Sequence, residues 1–259
     1  MEVVIVVQAR MGSSRLPGKV LKKIEGKTLL EIEMERIFSI KNDAIVVVAT
    51  TKNPNDKEIV ELCKQNGYAY YRGDEYDVLN RHYQAAKLFH ANTVVKIPSD
   101  CPLIDPNIID KVLDFYIKNY RSYDYVSNLH PPTYPDGNDV EVMSFDALQV
   151  ANKFAVKTYE REHTTPLLWN SKQNFRVGNV EWETGLDLSS SLRLTVDYQE
   201  DLDFIEQIYK ELYPINPIFG IDEILELLIK KPELTKINEK YNGTFWYNKL
   251  IKEELLSTI

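Results

Sequence analysis

The chain has 259 residues, of which 44% are hydrophobic and 27% charged, a composition typical of a folded globular protein rather than a disordered one. Its 39 Asp and Glu residues outnumber its 31 Lys and Arg residues, and the net charge of -8 argues against a general nucleic-acid-binding surface. Cys63 and Cys101 lack disulfide or metal-site spacing, and no leader or membrane-length apolar run is found, so we expect a cytoplasmic protein with no nucleic-acid and no membrane partner.

The first 120 residues alternate short β-branched runs with amphipathic helical segments. A helix after the second run is predicted to have Asn55 as N-cap and Gly67 just beyond its C-terminus, and a later helix is predicted to begin at Asp105. This order predicts a doubly wound α/β unit of the kind that binds nucleotides. The runs predicted to form buried parallel strands are residues 3–7, 44–49 and 93–97.

Shorter strands and turn-rich loops characterise the sequence from about residue 123 onwards. The sequence LRLTVD at 192–197 then predicts one more strand, followed at once by an amphipathic helix, and the tail from Phe219 is predicted to be helical. We therefore predict a single α/β domain over 1–259. Its mainly parallel central sheet is flanked by helices, and a smaller β-rich extension at about 123–182 serves the substrate or dimerisation.

The sequence QARMGSSRLPGKVL follows the first predicted strand directly, at the edge where open α/β sheets bind ligands. Its Gly-Ser run offers backbone N–H groups and hydroxyls, which are suitable donors to phosphate oxygens. Arg10, Arg15 and Lys19 concentrate positive charge within ten residues of an acidic chain. These features together predict a polyphosphate-binding loop.

Two common phosphate loops are excluded by spacing. Five residues separate Gly12 from Gly18, and Val20 follows Lys19, whereas a Walker A loop has four residues between its glycines and Ser or Thr after the Lys. The Gly-x-Gly-x-x-Gly dinucleotide fingerprint is also absent, which removes the main argument for a nicotinamide enzyme.

Two carboxylates follow predicted strands further along the chain. Asp100 lies just beyond the third buried run, and Asp197 has the same relation to LRLTVD. Mg²⁺ takes oxygen ligands but keeps several waters and substrate phosphates, so these two carboxylates suffice for a metal site. Asp197 also has a simpler interpretation as the N-cap of the helix that follows it, whereas Asp105 already fills that role downstream of Asp100.

QARMGSSRLPGKVL resembles the N-terminal signature of sugar-activating cytidylyltransferases, especially the group of spore coat polysaccharide biosynthesis, and more distantly the 3-deoxy-manno-octulosonate and acylneuraminate enzymes. PSDCPLIDP and TVDYQEDL resemble two further motifs of that family, whose Asp residues match Asp100 and Asp197 and are expected to bind metal. The resemblance implies a Rossmann-like nucleotide-diphospho-sugar transferase fold, CTP as substrate, Mg²⁺ as cofactor and a homodimer.

The family likeness also implies roles for individual residues. Arg15, Lys19, Asp100 and Asp197 are the expected catalytic group. The expected nucleotide-binding residues are Gln8, Ala9, Arg10, Met11, Gly12, Ser13, Arg15, Lys19, Thr50, Thr51, Arg72, Asp77, Arg81, Pro98, Ser99 and Asp100. The expected acceptor-binding residues are Asp139, Glu141, Arg161, Glu162 and His163.

Several of these residues have an ordinary structural alternative. Asp77 has the position of a helix N-cap, and Asp139 and Glu141 share one side of a strand by their period of two, which plain solvent exposure also explains. A lone His163 is more often structural than functional.

The leading hypothesis is transfer of CMP from CTP to an anionic sugar or related acceptor, with release of pyrophosphate, in surface polysaccharide or glycoconjugate biosynthesis. One alternative is a glycosyltransferase using a ready-made nucleotide sugar, for which Asp201 and Asp203 have the Asp-x-Asp spacing but fall inside a predicted helix. A second alternative is a nucleotide-binding protein without catalytic activity.

Overall fold

The structure is a computed structural model, and it describes residues 2–170 and 174–244. Its strands are β1 Val3–Gln8, β2 Lys23–Ile24, β3 Lys27–Thr28, β4 Ile45–Thr51, β5 Ala69–Gly73, β6 Thr93–Pro98, β7 Tyr125–Ser127, β8 Glu141–Ser144 and β9 Val177–Asn179. Its α-helices are α1 Leu29–Ile37, α2 Lys57–Asn66, α3 Val78–Leu88, α4 Pro106–Asn119, α5 Phe145–Phe154, α6 Thr158–His163, α7 Pro166–Trp169, α8 Gln199–Leu212 and α9 Ile221–Lys230.

A seven-stranded sheet in the order β5-β4-β1-β6-β8-β7-β9 forms the centre of the molecule. β1 pairs in parallel with β4 and β6, and β4 pairs in parallel with β5. β8 pairs antiparallel with both β6 and β7, while β9 is parallel to β7. The mainly parallel sheet and the three predicted buried strands are thus confirmed, and the strands beyond residue 123 continue this same sheet.

Helices cover both faces of the sheet, which explains the unbroken apolar runs. Alternate residues of β1 point to opposite faces. Val3, Ile5 and Val7 pack into a cluster with residues of α1, α2 and α4, whereas Val4 and Val6 pack into a second cluster with residues of α3 and α5. A strand that is buried on both sides has no polar position to alternate with.

Two of the predicted helix ends are confirmed by the structure, and one is wrong. Asp105 is the N-cap of α4, since its side chain accepts a hydrogen bond from the N–H of Asn107 at 2.8 Å, and Gly67 ends α2 with φ of 71°. The prediction of Asn55 as N-cap of α2 is wrong. Asn53 instead caps a short 3₁₀ turn that Pro54 begins, because a proline favours the first helical position, and α2 starts after that turn.

The strand predicted at 192–197 is also wrong. Apart from a single bridge between Arg193 and Asp136, the segment joins no sheet among the described residues. Its backbone is satisfied by loops, because the N–H of Leu194 donates to the carbonyl of Asp136 at 2.6 Å and that of Val196 to the carbonyl of Asp100 at 2.8 Å. The alternation of apolar and polar residues is real, but it reflects an extended loop packed on α8 and α9.

The predicted helical tail is confirmed as far as it is described, by α9 and two short 3₁₀ turns; the part at 245–259 lies outside the described residues. Within 2–170 and 174–244, no helix has both the length and the apolar composition that crossing a bilayer requires.

Candidate active site

A cavity of about 350 Å³ lies at the carboxyl ends of β1 and β6 and brings together most of the predicted site residues. Those on its lining are Gln8, Ala9, Arg10, Gly12, Ser13, Arg15, Lys19, Arg81, Pro98, Ser99, Asp100, Asp139, Glu141, Glu162, His163 and Asp197. The predicted residues that do not line it are Met11, Thr50, Thr51, Arg72, Asp77 and Arg161.

The loop after β1 is shaped by its own hydrogen bonds. The carbonyl of Met11 accepts from the N–H groups of Ser13 at 2.9 Å and Gly18 at 3.0 Å, and the Ser13 hydroxyl accepts from the N–H of Leu16 at 3.3 Å. Gly18 has φ of 68°, in the left-handed region that a glycine enters without steric cost. The closed turn places Arg15 and Lys19 beside the cavity, where the Lys19 side chain is 12% exposed and that of Arg15 is 49% exposed.

A buried carboxylate that the sequence analysis did not predict, Asp56, supports this loop. Asp56 accepts a hydrogen bond from the N–H of Met11 at 2.8 Å, and the Thr51 hydroxyl donates to the same carboxylate. Arg72 Nε in turn donates to the carbonyl of Thr51 at 2.8 Å. Thr51 and Arg72 therefore support the loop after β1 through Asp56 and the Met11 N–H, and neither side chain lines the cavity.

Lys19 joins the two predicted metal-binding carboxylates. Its Nζ lies 2.8 Å from Asp100 Oδ2, 3.0 Å from Asp197 Oδ1 and 2.7 Å from the carbonyl oxygen of Val196. Arg15 also donates to Asp197 Oδ1, at 2.7 Å. One ammonium nitrogen touches both carboxylates, so Asp100 and Asp197 meet at the loop after β1.

Arg193 fixes Asp197 from the other side. This buried guanidinium donates to Asp197 Oδ2 at 2.7 Å, to Asp136 Oδ2 at 2.7 Å and to Asp201 Oδ1 at 3.1 Å. Asp201 itself accepts from the N–H groups of Asp197 and Tyr198 at the start of α8. Asp201 thus does the N-terminal capping, and the Asp197 side chain is left to face the cavity.

The charges around Lys19 are mutually stabilising. Burial alone would raise the pKa of Asp197, but Lys19 and Arg15 outweigh burial and hold that pKa below its ordinary value. Burial likewise would lower the pKa of Lys19, and Asp100 and Asp197 outweigh it and raise that pKa. At neutral pH Lys19 and Asp197 are therefore both ionised.

The donor chemistry of this centre fits Mg²⁺. Asp100 lines the cavity, and its Oδ1 receives only a long 3.7 Å contact from the Cys101 thiol. No cluster of three or more His, Cys, Asp or Glu side chains able to hold a metal is found across the described ranges. Magnesium at a nucleotide site needs only one or two carboxylates, since waters and phosphates complete its shell. Asp100 and Asp197 supply that number.

The opposite part of the cavity contains an ion pair. Lys96 of β6 forms an ion pair with Glu141 of β8, and the Tyr125 hydroxyl donates to the second carboxylate oxygen of Glu141 at 2.6 Å. His163 lies near this pair, and burial, followed by the charge of Lys96, lowers the pKa of His163 to about 4. At neutral pH His163 is therefore uncharged.

Three of the remaining predicted residues have local structural contacts. Asp77 is the N-cap of α3 and also forms an ion pair with Arg161, whose other contacts are to Asn152. Arg81 reaches the cavity but donates to the carbonyls of Asp74 and Glu75. The side chain of Thr50 is buried within β4.

Sequence reasoning missed several cavity residues, which are Lys96, His130, Tyr134, Asp136, Arg193 and Thr195. Period-two spacing in LRLTVD would have found two of them, because Arg193, Thr195 and Asp197 all face the cavity. Lys96 was not predicted because it lies inside an apolar run that reads as a buried strand. Asp136 is brought in by a contact with Arg193 that no local pattern reports.

A cationic loop at the carboxyl edge of a mainly parallel sheet, in contact with two carboxylates, is an arrangement typical of nucleotidyltransferases. The chain belongs to the cytidylyltransferase family, whose model matches residues 4–242.

Individual relatives agree with this assignment. The chain is 37% identical to an uncharacterised protein of Methanocaldococcus jannaschii, covering 92% of this chain and 95% of that one. It is 27% identical to the spore coat polysaccharide biosynthesis protein SpsF of Bacillus subtilis, over 90% and 96%. It is 33% identical to a 3-deoxy-manno-octulosonate cytidylyltransferase of Chlamydia trachomatis, over 51% of each.

Among solved structures, a cytidylyltransferase from Leptospira borgpetersenii superposes with a TM-score of 0.85 at 31% identity, covering 91% of this chain and 97% of that one. The predicted family resemblance and the predicted fold are thereby confirmed.

Proposed function

We propose that this protein transfers CMP from CTP to a hydroxyl group of a sugar acceptor. The acceptor oxygen attacks the α-phosphorus, the bond to the β-phosphate oxygen breaks, and pyrophosphate leaves. The observation that carries the proposal is the contact of Lys19 with both Asp100 and Asp197 inside the cavity. That contact supports the proposal because in-line transfer of a nucleotidyl group to a hydroxyl needs fixed cations and carboxylates able to hold a metal in one place.

Catalysis on this proposal comes from positioning and electrostatics, without a protein nucleophile. Arg15 and Lys19 neutralise the charge that develops on the pyrophosphate. Asp100 and Asp197 would hold Mg²⁺, which when bound polarises phosphate oxygens as a Lewis acid. Arg193 orients Asp197 through its 2.7 Å contact and so acts as a positioning residue.

The nucleotide is proposed to lie along the loop after β1. Backbone and side-chain donors from Gln8 to Ser13 would meet its phosphates, with Arg81 and Pro98 nearby on the same lining. Asp139, Glu141, Glu162 and His163, which also line the cavity, would face the acceptor. Thr51 and Arg72 act indirectly, by holding the loop.

The biological setting is proposed from the relatives. The name of SpsF points to polysaccharide biosynthesis, and we propose a related role in surface polysaccharide or glycoconjugate synthesis for this chain. A homodimer and a cytoplasmic location stay predictions. Sedimentation analysis of the purified protein tests the first.

A pyrophosphate-release assay tests the proposed reaction. The protein, with Mg²⁺, is incubated with each of the four nucleoside triphosphates in the presence and absence of sugars. We expect sugar-dependent release with CTP and little release with the other three. Sugar-independent release, or release with a different triphosphate, contradicts the proposal.

The same assay separates this reaction from glycosyl transfer, which releases no pyrophosphate. The Asp-x-Asp pair gives the rival no metal site, because Asp201 is fully buried and serves as a cap for α8.

A further inference from the structure

Residues 238–244, here called the C-terminal segment, are attached to the part of the chain that carries Asp197. The buried side-chain amide of Asn238 donates to the carbonyl of Arg193 at 3.1 Å and to Asp201 Oδ1 at 3.0 Å. Arg193 and Asp201 each also bond Asp197 directly. The C-terminal segment is therefore anchored to the same residues that fix the metal-binding carboxylate.

The other end of the C-terminal segment reaches the cavity. The side-chain amide of Asn242 donates to the carbonyl of Ser191 at 2.7 Å, and Thr244 is one of the residues that line the cavity. The segment is thus held on both sides of Tyr241, by Asn238 before it and by Asn242 after it.

Tyr241 stacks on Tyr198, the residue that directly follows Asp197. The two ring centroids are 3.8 Å apart and the ring planes differ by 5°. The Tyr241 hydroxyl donates to Glu200 Oε2 at 3.2 Å, and Lys240 donates to Glu200 Oε1 at 2.6 Å. These contacts fix the Tyr241 ring, and the stack in turn restricts the Tyr198 ring.

The Tyr198 ring supports Arg15, the more exposed of the two loop cations proposed to act on the pyrophosphate. The Arg15 side chain is 49% exposed, whereas that of Lys19 is 12% exposed and donates to three oxygen atoms. Arg15 donates to Asp197 Oδ1 at 2.7 Å, and its Cζ lies over the Tyr198 ring at 5.5 Å from the centroid. Aromatic faces attract the planar guanidinium and stack with it.

A fixed place for this guanidinium matters for the proposed reaction. A long, half-exposed side chain samples many rotamers, and this freedom must be lost before its charge can act at one position. Electrostatic catalysis is most effective when the charges are already in place, because moving them during the reaction costs free energy. One carboxylate contact lets a guanidinium pivot, whereas a ring face also restricts its plane.

We propose that Tyr198 is a positioning residue for Arg15, and that Tyr241 of the C-terminal segment holds Tyr198 in place. This inference rests on the proposed cytidylyl transfer, in which Arg15 neutralises the charge that develops on the leaving pyrophosphate. The C-terminal segment thereby becomes part of the active site, although no sequence motif indicates it.

Pyrophosphate release from CTP, with Mg²⁺ and a sugar that the parent uses, tests the role of the ring. Tyr198→Leu should lower kcat about fivefold to tenfold, which is the size of effect that one cation–π contact supports. The KM for the sugar should change less than about twofold, because Arg15 acts on charge that appears in the transition state. A parental kcat in Tyr198→Leu overturns the inference.

Two further variants separate the ring from its hydroxyl and from its support. Tyr198→Phe keeps the aromatic face and should restore kcat to within about twofold of the parent. Tyr241→Leu removes the stacked partner and should lower kcat about twofold to threefold. A loss in Tyr198→Phe as large as that in Tyr198→Leu overturns the inference, and a parental kcat in Tyr241→Leu overturns the role given to Tyr241.

The other end of α8 supplies a matched control. Tyr213 stacks on Tyr209 with ring centroids 4.4 Å apart, and Lys27 Nζ lies 5.0 Å from the centroid of the Tyr213 ring. This is also a pair of stacked tyrosines beside a cation, but none of the three residues is on the described lining of the cavity. Tyr213→Leu should keep the kcat of the parent. A loss equal to that of Tyr198→Leu overturns the inference.

A double-mutant cycle tests whether Tyr198 acts through Arg15. Arg15→Met removes the guanidinium, so adding Tyr198→Leu in that background should change kcat less than about twofold. Urea unfolding shows that each compared variant is folded. A second loss of the full size in a folded double variant overturns the inference, because the ring would then act on something other than Arg15.

The outcomes separate this inference from the proposed function. An active parent with an unaffected Tyr198→Leu variant leaves cytidylyl transfer standing and rejects the positioning role. A parent that releases no pyrophosphate from CTP with any sugar rejects the proposed transfer, and the inference falls with it.

Discussion

Arg193→Met should destabilise the fold strongly, and the loss should depend on pH. Arg193 is a buried cation whose three charge-assisted hydrogen bonds join Asp136, Asp197 and Asp201. Methionine replaces much of the side-chain volume but none of the charge. After the substitution the three carboxylates remain close together but have lost one neutralising positive charge, and Asp136 has lost its ion-pair partner.

The expected cost follows from removing one member of a buried ionic network, which is typically about 3–5 kcal/mol. Total stabilities of domains are only about 5–15 kcal/mol, so such a loss consumes a large fraction. In the variant, Asp136, whose pKa burial and Asp139 raise in the folded protein, has lost the opposing charge of Arg193, so the folded state binds more protons than the unfolded chain. Stability lost at pH 7 should be partly regained as the pH falls toward 5.

Equilibrium urea unfolding at pH 7 and pH 5 measures both effects, from the midpoint and the slope. Lys231→Met is the control, because Lys231 pairs with Glu211 at the surface with both side chains 42% exposed, and its loss should cost less than about 1 kcal/mol. If Arg193→Met costs no more than this control, or if its cost is the same at both pH values, the assigned role of Arg193 is refuted.

Three further substitutions test other parts of the structure. Gly18→Ala should cost about 1 kcal/mol because φ is 68°, and it should weaken CTP binding; Gly67→Ala, at φ of 71°, should have a similar cost without affecting CTP, as calorimetry can show. Thr51→Val removes the hydroxyl that donates to Asp56 and should cost about 1–3 kcal/mol and lower CTP affinity; unchanged affinity contradicts the supporting role. Burial lowers the pKa of His82 to about 3, so below pH 6.5 the unfolded state binds more protons and stability falls as the pH falls. His82→Leu should remove about 1.4 kcal/mol of that fall per pH unit in urea unfolding, and an unaltered slope contradicts this.

The elements that follow from local pattern were predictable. Strands that are buried on both faces appear in the sequence as unbroken apolar runs. The Asp105-Pro106 pair indicates a helix start from local sequence alone. LRLTVD shows the limit. Its alternation is that of an extended segment with one buried side, and only long-range packing decides whether such a segment joins a sheet or lies on helices.

For the candidate site, too, the features that depend on local sequence pattern were predictable. Lys19 and Asp100 meet because the loops that follow the parallel strands β1 and β6 share one edge of the sheet, whereas Asp197 is brought to them by an extended segment that joins no sheet among the described residues. Which side chain supports and which faces the ligand depends on contacts distant in sequence. The Asp56 contact to Met11 and the Asp77 contact to Arg161 are of that kind.

Pyrophosphate release by Asp100→Asn tests the central claim most directly. Asp100 contacts Lys19 in the cavity, and replacing its carboxylate by an amide removes a metal-binding charge at nearly constant shape. With CTP, Mg²⁺ and the best sugar, we expect turnover to fall about 10²-fold or more, while urea unfolding stays near that of the parent and Asp203→Asn keeps full activity. Release by Asp100→Asn at the parental rate would contradict the assignment of this cavity as the site of cytidylyl transfer.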